Sequence, residues 1–435
     1  MSISEENVAT SQETSRPKRS LPLYALFSGY IISYIGDTMT LLAVPWFVLQ
    51  TTGSATQTAI TASFSALPLV LSSFFGSIIV DRLGYKRTSV ISDITSGISV
   101  GLVPLLYHTL GLPFWALLML VFIGGLLKAP GMTARSSLVP DLAIPAKMRL
   151  ERANAISDGL NRVSSFIGAP LAAVMITFIG ASNLLWFDAL SFFISALVIG
   201  VLVPFTPAIV ASAEENPQTY LQHLREGVGY IFSSSFLLSA IATVMLTNLL
   251  DAGLSSVVAP VYIKQIFHSP LPLGLIFAAF GGAAFIGTLI FGAIGHRLPR
   301  RWTLGIAFTI GGAPRFWILL APILPVLIIC YAITGMAIAP INPLLDTVMQ
   351  ETLPQKMRAR VFGVVIAGAM MGTPLGAFIS GYLVAWLGTP HTLMLMGAIY
   401  LLATLSFLVN PTMKQMDKPK QVEATQVQAQ VQAME

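Results

Sequence analysis

Twelve long apolar runs divide this chain, near residues 22–50, 56–80, 88–108, 113–138, 154–180, 183–205, 236–262, 273–295, 302–321, 323–349, 361–386 and 391–411. Each approaches or exceeds the ~20 residues that cross about 30 Å of hydrocarbon at roughly 1.5 Å per residue. Lipid offers no partner to a free N–H or C=O, so a spanning segment must satisfy its own backbone. The runs therefore predict helices, and the short alternating segments of a transmembrane barrel are missing. Charge agrees, since only 10% of the residues are charged against about 25% in a soluble domain.

Basic residues fix the expected orientation. With the N-terminus in the cytoplasm, the inner side receives Arg16, Lys18 and Arg19; Arg82, Lys86 and Arg87; Lys147, Arg149 and Arg152; Arg225; Arg297, Arg300 and Arg301; and Lys356, Arg358 and Arg360. The tail adds Lys414, Lys418 and Lys420, while the outer loops receive only Lys264. An even number of spans with both termini inside follows. The first run lacks a small-residue cleavage signature and is expected to be retained as a helix. The basic residues sit in short loops rather than along one face, which argues against nucleic acid.

Residues 1–20 form a polar tail, 21–205 a first six-helix bundle, 206–235 a cytoplasmic linker containing a helical piece, 236–411 a second bundle, and 412–435 a low-complexity tail expected to be disordered. The two bundles echo each other. Pro145-Ala-Lys-Met-Arg149 recurs as Pro354-Gln-Lys-Met-Arg358, and Gly168-Ala-Pro-Leu-Ala-Ala173 as Gly372-Thr-Pro-Leu-Gly-Ala377. Asp37 before Pro45 is matched by Asp251 before Pro260, and Asp81-Arg-Leu-Gly-Tyr-Lys86 by His296-Arg-Leu-Pro-Arg-Arg301. Parallel repeats of six helices belong to one large class of transport proteins, with a site near the midplane between the halves.

Several chemistries are excluded by what the chain lacks. Cys330 is the single cysteine, so no disulfide or thiolate metal site forms within the chain. There is no Gly-x4-Gly-Lys-Ser/Thr loop, no His-Glu-x-x-His pair and no clustering of the five histidines. No cofactor, metal or enzymatic activity is expected.

The stretch Gly76-x4-Asp81-Arg82-x-Gly84-x-Lys86-Arg87, between the second and third runs, resembles the signature loop of the major facilitator superfamily. Gly36-Asp37 with Thr52-Gly-Ser54, Ser137-Leu-Val-Pro-Asp-Leu142, Ala153-Asn-Ala155 and Arg360-Val-Phe-Gly363 resemble its drug-exporting branch, which includes bacterial macrolide efflux proteins. The resemblance covers about residues 22–411. It implies an all-α fold of twelve transmembrane helices in two six-helix repeats, in the bacterial inner membrane. It also implies that the signature loop latches the two halves on the cytoplasmic side.

The residues suit that latch. Asp81 is an anion fit for a helix N-terminus of the other half, where the dipole and free N–H groups favour it; the helix opening near Arg360 is the expected partner. Arg82, Lys86 and Arg87 can pair with carboxylates there, Gly76 and Gly84 complete the motif, Gly84 permitting the turn, and Arg135 is placed with this group. His296 and Pro299 in the second repeat predict a one-sided latch.

Asp37 lies near the middle of the first helix, where a charge costs roughly 2.5–3.5 kcal/mol on insertion scales. The resemblance implies proton coupling there; a neutral carboxylic acid holding packing is the alternative. Asp251 is its counterpart, with Asn248 near enough to satisfy it. Lys128 either balances Asp37 across a cavity or snorkels toward the cytoplasm. Asp93 is expected to form a salt bridge at a helix end, and Asp188 and Arg315 to be interfacial. An amphiphilic ligand needs an apolar and polarizable lining, for which the candidates are Tyr30, Trp46, Phe64, Met245, Tyr262, Phe280, Tyr331 and Met336, with Lys128 and Asn248. Gly168-Ala-Pro170 and Gly372-Thr-Pro374 are expected to permit close helix packing.

The expectation is a monomeric secondary transporter that exports amphiphilic, drug- or macrolide-like small molecules by alternating access, with protons as the coupling ion. Export of a siderophore or other endogenous metabolite is the alternative within the class. An uncoupled lipid scramblase or a membrane enzyme is the alternative outside it.

Overall fold

The computed structural model describes residues 20–204, 217–353 and 355–413, and all its regular elements are helical. The two tails, and the first part of the linker, lie outside the described residues. Among the described residues, ten helices are long and apolar enough to cross a membrane.

The first half comprises α1 (Leu21–Thr52), α2 (Ala55–Leu83), α3 (Tyr85–Thr109), α4 (Phe114–Ala143), α5 (Leu150–Ile179) and α6 (Ala181–Leu202). A short helix, Pro217–Ser233, leads into the second half. There α7 spans Ser235–Phe267, α8 Leu271–Ile294, α11 Gln355–Leu387 and α12 Thr389–Val409. Three spans are broken: α4 combines Phe114–Leu126 with Lys128–Ala143, α9 combines Arg300–Gly311 with Pro314–Ile318, and α10 combines Leu324–Ile338 with Ile341–Thr352. Twelve helical segments in two sixes therefore stand where the apolar runs put them, and ten of them meet the length and hydropathy of a span among the described residues.

The breaks have local causes. Proline has no N–H to give the preceding turn and crowds its carbonyl, and α4 is interrupted at Leu127, three residues before Pro130. A serine stripe on α3 supports this helix: Ser92 Oγ donates to Leu127 O at 2.9 Å, Ser96 Oγ to Gly124 O at 3.1 Å, and Ser99 Oγ to Leu120 O. Positions 92, 96 and 99 lie on one helical face, so α3 pins α4 along its length and fixes where Lys128 emerges. In α7, a π-turn at Leu254–Val258 precedes Pro260, close to Asp251. In the tight junction between α2 and α3, Gly84 has φ +80°, a conformation strained for any residue with a Cβ.

Within the first half α1 and α3 pack on α6; across the halves α2 packs on α11 and α5 on α8. Gly168 sits against Thr38, and Gly274 against Ala169, Pro170 and Ala173, so the Gly-Ala-Pro stretch faces both α1 and α8. Its counterpart meets α2, where Ser63 Oγ donates to Pro374 O at 2.9 Å. Gly381 lies on Ala59 too closely to admit a Cβ. Lys264 Nζ donates to Leu49 O at the end of α1. These cross-half contacts lie in the middle of the bundle and at the end opposite the basic loops.

Candidate functional site

Three acid–base pairs lie inside the bundle among the described residues, each within one half. Lys128 Nζ on α4 meets Asp37 Oδ1 on α1 at 2.7 Å. Arg135 on α4 pairs with Asp93 on α3. Arg315 on α9 pairs with Asp251 on α7. A membrane-buried ion costs least when it meets its counter-ion and its remaining donors are satisfied, and the three pairs satisfy that rule to different degrees.

Arg135 is the most enclosed. Its Nε donates to Ser89 Oγ at 3.0 Å and its Nη1 to Ser33 Oγ at 3.2 Å, while its guanidinium lies 5.7 Å from the centre of the Tyr30 ring. Arg135 therefore does not join a latch between the halves; it ties α1, α3 and α4 together inside the first. Tyr30, expected in the cavity wall, is buried as part of the same packing.

Arg315, expected at an interface, is also buried. The break at Gly312-Ala313-Pro314 turns its side chain inward, where Phe280, Phe316 and Tyr400 surround it at 5.5 to 5.8 Å from ring centre to guanidinium carbon. Its Nε donates to Gly312 O at 3.2 Å, and Tyr331 Oη donates to Arg315 O at 3.2 Å. The partner of Asp251 is thus Arg315 rather than Asn248. Tyr331 and Phe280 belong to this arginine's surroundings, and cation–π contact is the physical reason they gather there.

The remaining pair opens into a cavity of about 290 Å³. Its walls come almost wholly from the first half, and Ser256 on α7 and Thr373 on α11 are the second half's share. The lining is chiefly apolar, including Leu41, Val44, Leu69, Val100 and Val121, with Asp37, Lys128, Thr40 and Asp188 as its charged and hydrogen-bonding centre. A site between the halves is expected from the repeat; this cavity is built chiefly by the first half.

Asp188 corrects a second expectation. It is 1% exposed rather than interfacial. Thr40 Oγ1 donates to its Oδ2, while Ser191 Oγ donates to Asp188 O at 2.8 Å and also lies 3.2 Å from Oδ1. It reaches α1 because residue 36 is glycine: a Cβ there would collide with Asp188 Oδ1 and Ser191 Oγ. The sequence carried a signal for this group, since Gly36, Asp37 and Thr40 cluster on about one turn of α1, and Ser191 follows Asp188 by three.

The expected aromatic lining is not what encloses this cavity. Trp46 and Tyr262 are buried in the hydrophobic core. Phe64 packs on Phe122, 6.2 Å between ring centres. Met245 lies beside Gly368, and neither it, Asn248 nor Met336 lines the cavity. These spans are apolar on every side, so composition does not separate a cavity wall from core or lipid contact. At the basic end Arg82 and Arg87 are exposed and Lys86 half-buried. Gly76 and the side chains of Asp81 and Arg360 lie outside what the structure describes.

A family model described as Major Facilitator Superfamily matches residues 26–250 and 241–431. The chain is similar to the multidrug efflux pump Tap of Mycobacterium tuberculosis, 28% identical over 405 residues, 92% of this chain and 96% of that one. It is also similar to macrolide efflux protein A of Streptococcus pyogenes, 19% identical over 392 residues, 87% of this chain and 93% of that one. Among solved structures, a mutant of the nucleoside transporter NupG superposes with a TM-score of 0.78 at 13% identity, over 91% of this chain and all of that one. That last likeness concerns the fold.

Proposed function

From the premise that this chain belongs to the Major Facilitator Superfamily, a family of non-enzymatic transporters, we propose that it exports amphiphilic drug-like molecules by proton antiport. It is a multi-pass protein of the bacterial inner membrane. Relatives named for multidrug and macrolide efflux support the direction and the substrate class. The observation that carries the coupling is the Asp37–Lys128 pair at the edge of an apolar cavity.

The cycle follows from charge. With Asp37 ionised and paired to Lys128, the cavity accepts substrate from the cytoplasm or the inner leaflet. The halves then rock, the side bearing the signature loop closes, and substrate leaves outward. A proton entering from outside neutralises Asp37, releases Lys128 and permits the return. Moving one charge across the membrane supplies about 2.3 kcal/mol per 100 mV. At about 1.4 kcal/mol per factor of ten, that sustains roughly a fifty-fold gradient. Asp251, held against Arg315, keeps the second half's charge balanced through the cycle.

The latch is assigned to Gly76, Asp81, Arg82, Gly84, Lys86 and Arg87, with the N-terminal part of α11, which begins at Gln355 and carries Arg360, as its partner. Both termini are placed in the cytoplasm, and the transporter works as a monomer. In proteoliposomes holding purified protein, an imposed pH gradient should drive uptake of a fluorescent drug-like dye against its concentration gradient. Uptake that ignores both pH and voltage would refute antiport.

A further inference from the structure

The proposed cycle takes Asp37 away from Lys128 on the return leg, and the cavity holds one other group able to receive the ammonium. Among the described residues its wall carries three titratable side chains, Asp37 of α1, Lys128 of α4 and Asp188 of α6, while α2, α3, α7 and α11 give it hydroxyl and apolar groups. Asp93 and Asp251 are already held, by Arg135 and Arg315. Asp188 forms no ion pair among the described residues. Thr40 donates to its Oδ2, but the Ser191 hydroxyl is committed to Asp188 O at 2.8 Å and lies farther, 3.2 Å, from Oδ1. Oδ1 therefore has acceptor capacity left, and at 1% exposure bulk water does not reach it.

That oxygen lies beside the residue next to Asp37: a Cβ on Gly36 would collide with Asp188 Oδ1. Thr40, one turn on, holds the other oxygen. Both carboxyl groups act electrostatically on Lys128. Its ammonium carries three N–H donors on a flexible four-carbon stem and spends one on Asp37 Oδ1 at 2.7 Å. With 37% of its side chain exposed, Lys128 has room to turn. A buried ammonium that loses its counter-ion is strongly destabilised, so proton uptake at Asp37 drives Lys128 toward the carboxylate left in the cavity. We propose that Asp188 is the alternate partner: when Asp37 takes the proton, Lys128 keeps its own, swings from α1 to α6 and pairs with Asp188 Oδ1. Asp188 is then a positioning residue that keeps the ammonium paired through the empty return and ties α4 to α6 on that leg alone. The inference rests on the antiport reading for the role of the proton, but the exchange of partners is testable at equilibrium.

When either acid can hold Lys128, losing both costs more than the two single losses combined. Purified full-length protein would be melted as Asp37→Asn, as Asp188→Asn and as the double variant, with a second set that also carries Lys128→Met. In the first set the double variant should melt below the sum of the single shifts by about 3 °C or more. In the second set that excess should vanish. Additive losses in the first set would overturn the inference. So would an excess that persists with Lys128→Met, since repulsion between the two acids alone then accounts for it. A transport ratio separates positioning from packing. Exchange of the fluorescent dye, present equally on both sides of the vesicle, needs no proton step, whereas pH-driven uptake does. Asp188→Asn should lower driven uptake relative to exchange several-fold, and an equal fall in both would count against the inference. Wild-type vesicles that ignore the pH gradient would defeat antiport, and melting would still decide whether Lys128 changes partner.

Discussion

At Asp37 and Lys128 the question is how two charges persist in the bundle. Their contact at 2.7 Å, with cavity access on both, makes the pair separable. Arg135 and Asp93 are different, at 5% and 2% side-chain exposure with further donors to Ser89 and Ser33. Removing one partner of such a pair typically costs about 3–5 kcal/mol, because the other is left buried and unpaired. Arg135→Met should therefore lower thermal stability by that order, and the double change with Asp93→Asn should recover much of it, as read by fluorescence-detected melting. Were Arg135 a latch residue instead, its loss would alter cycling and spare stability. Sequence could not separate these arginines and aspartates by role. Depth along a run is countable, but the face a side chain takes is not. Asp188 and Arg315 were misplaced for that reason, one lying against a glycine and the other turned inward by a helix break.

At the scale of the helix, the fold was legible because hydrocarbon thickness imposes a length on each run. The helices begin and end within a few residues of the apolar runs, except where α11 extends earlier and α4 and α7 run later. What hydropathy does not reveal is cross-half packing. Lys264, the single basic residue expected on the outer side, donates to Leu49 O at the negative end of the α1 dipole, where Gly53 N also bonds at 3.1 Å. This clasp joins the two halves at the end away from the basic loops. Lys264→Met should widen that end. In a Cys330→Ser background with spin labels at Gln50 and Ile266, the distance distribution should move to longer values. An unchanged distribution would mean that helix packing alone holds the closure.

For the whole molecule, the two repeats have the same frame and unequal chemistry. The first half holds the cavity with two carboxylates and a separable pair, and the second holds Asp251 with Arg315 between aromatic rings. The sequence repeat showed the frame; the inequality lies in side-chain placement that no repeat encodes. On the latch reading, Asp81→Asn should slow transport several-fold while leaving binding of the drug-like dye within about twofold of wild type, since the loop holds a conformation rather than a ligand. Loss of binding with the fold intact would transfer Asp81 to the binding site.

Asp37 is the residue on which the antiport account depends, and proton movement reports on it most directly. Proteoliposomes enclosing a pH-sensitive dye would be given an outwardly directed substrate gradient with no initial pH difference. Wild-type protein should move protons in the direction opposite to the substrate, and Asp37→Asn should bind substrate yet move no protons. Proton flux that persists in Asp37→Asn, or substrate movement through wild type with no proton flux, would contradict the account.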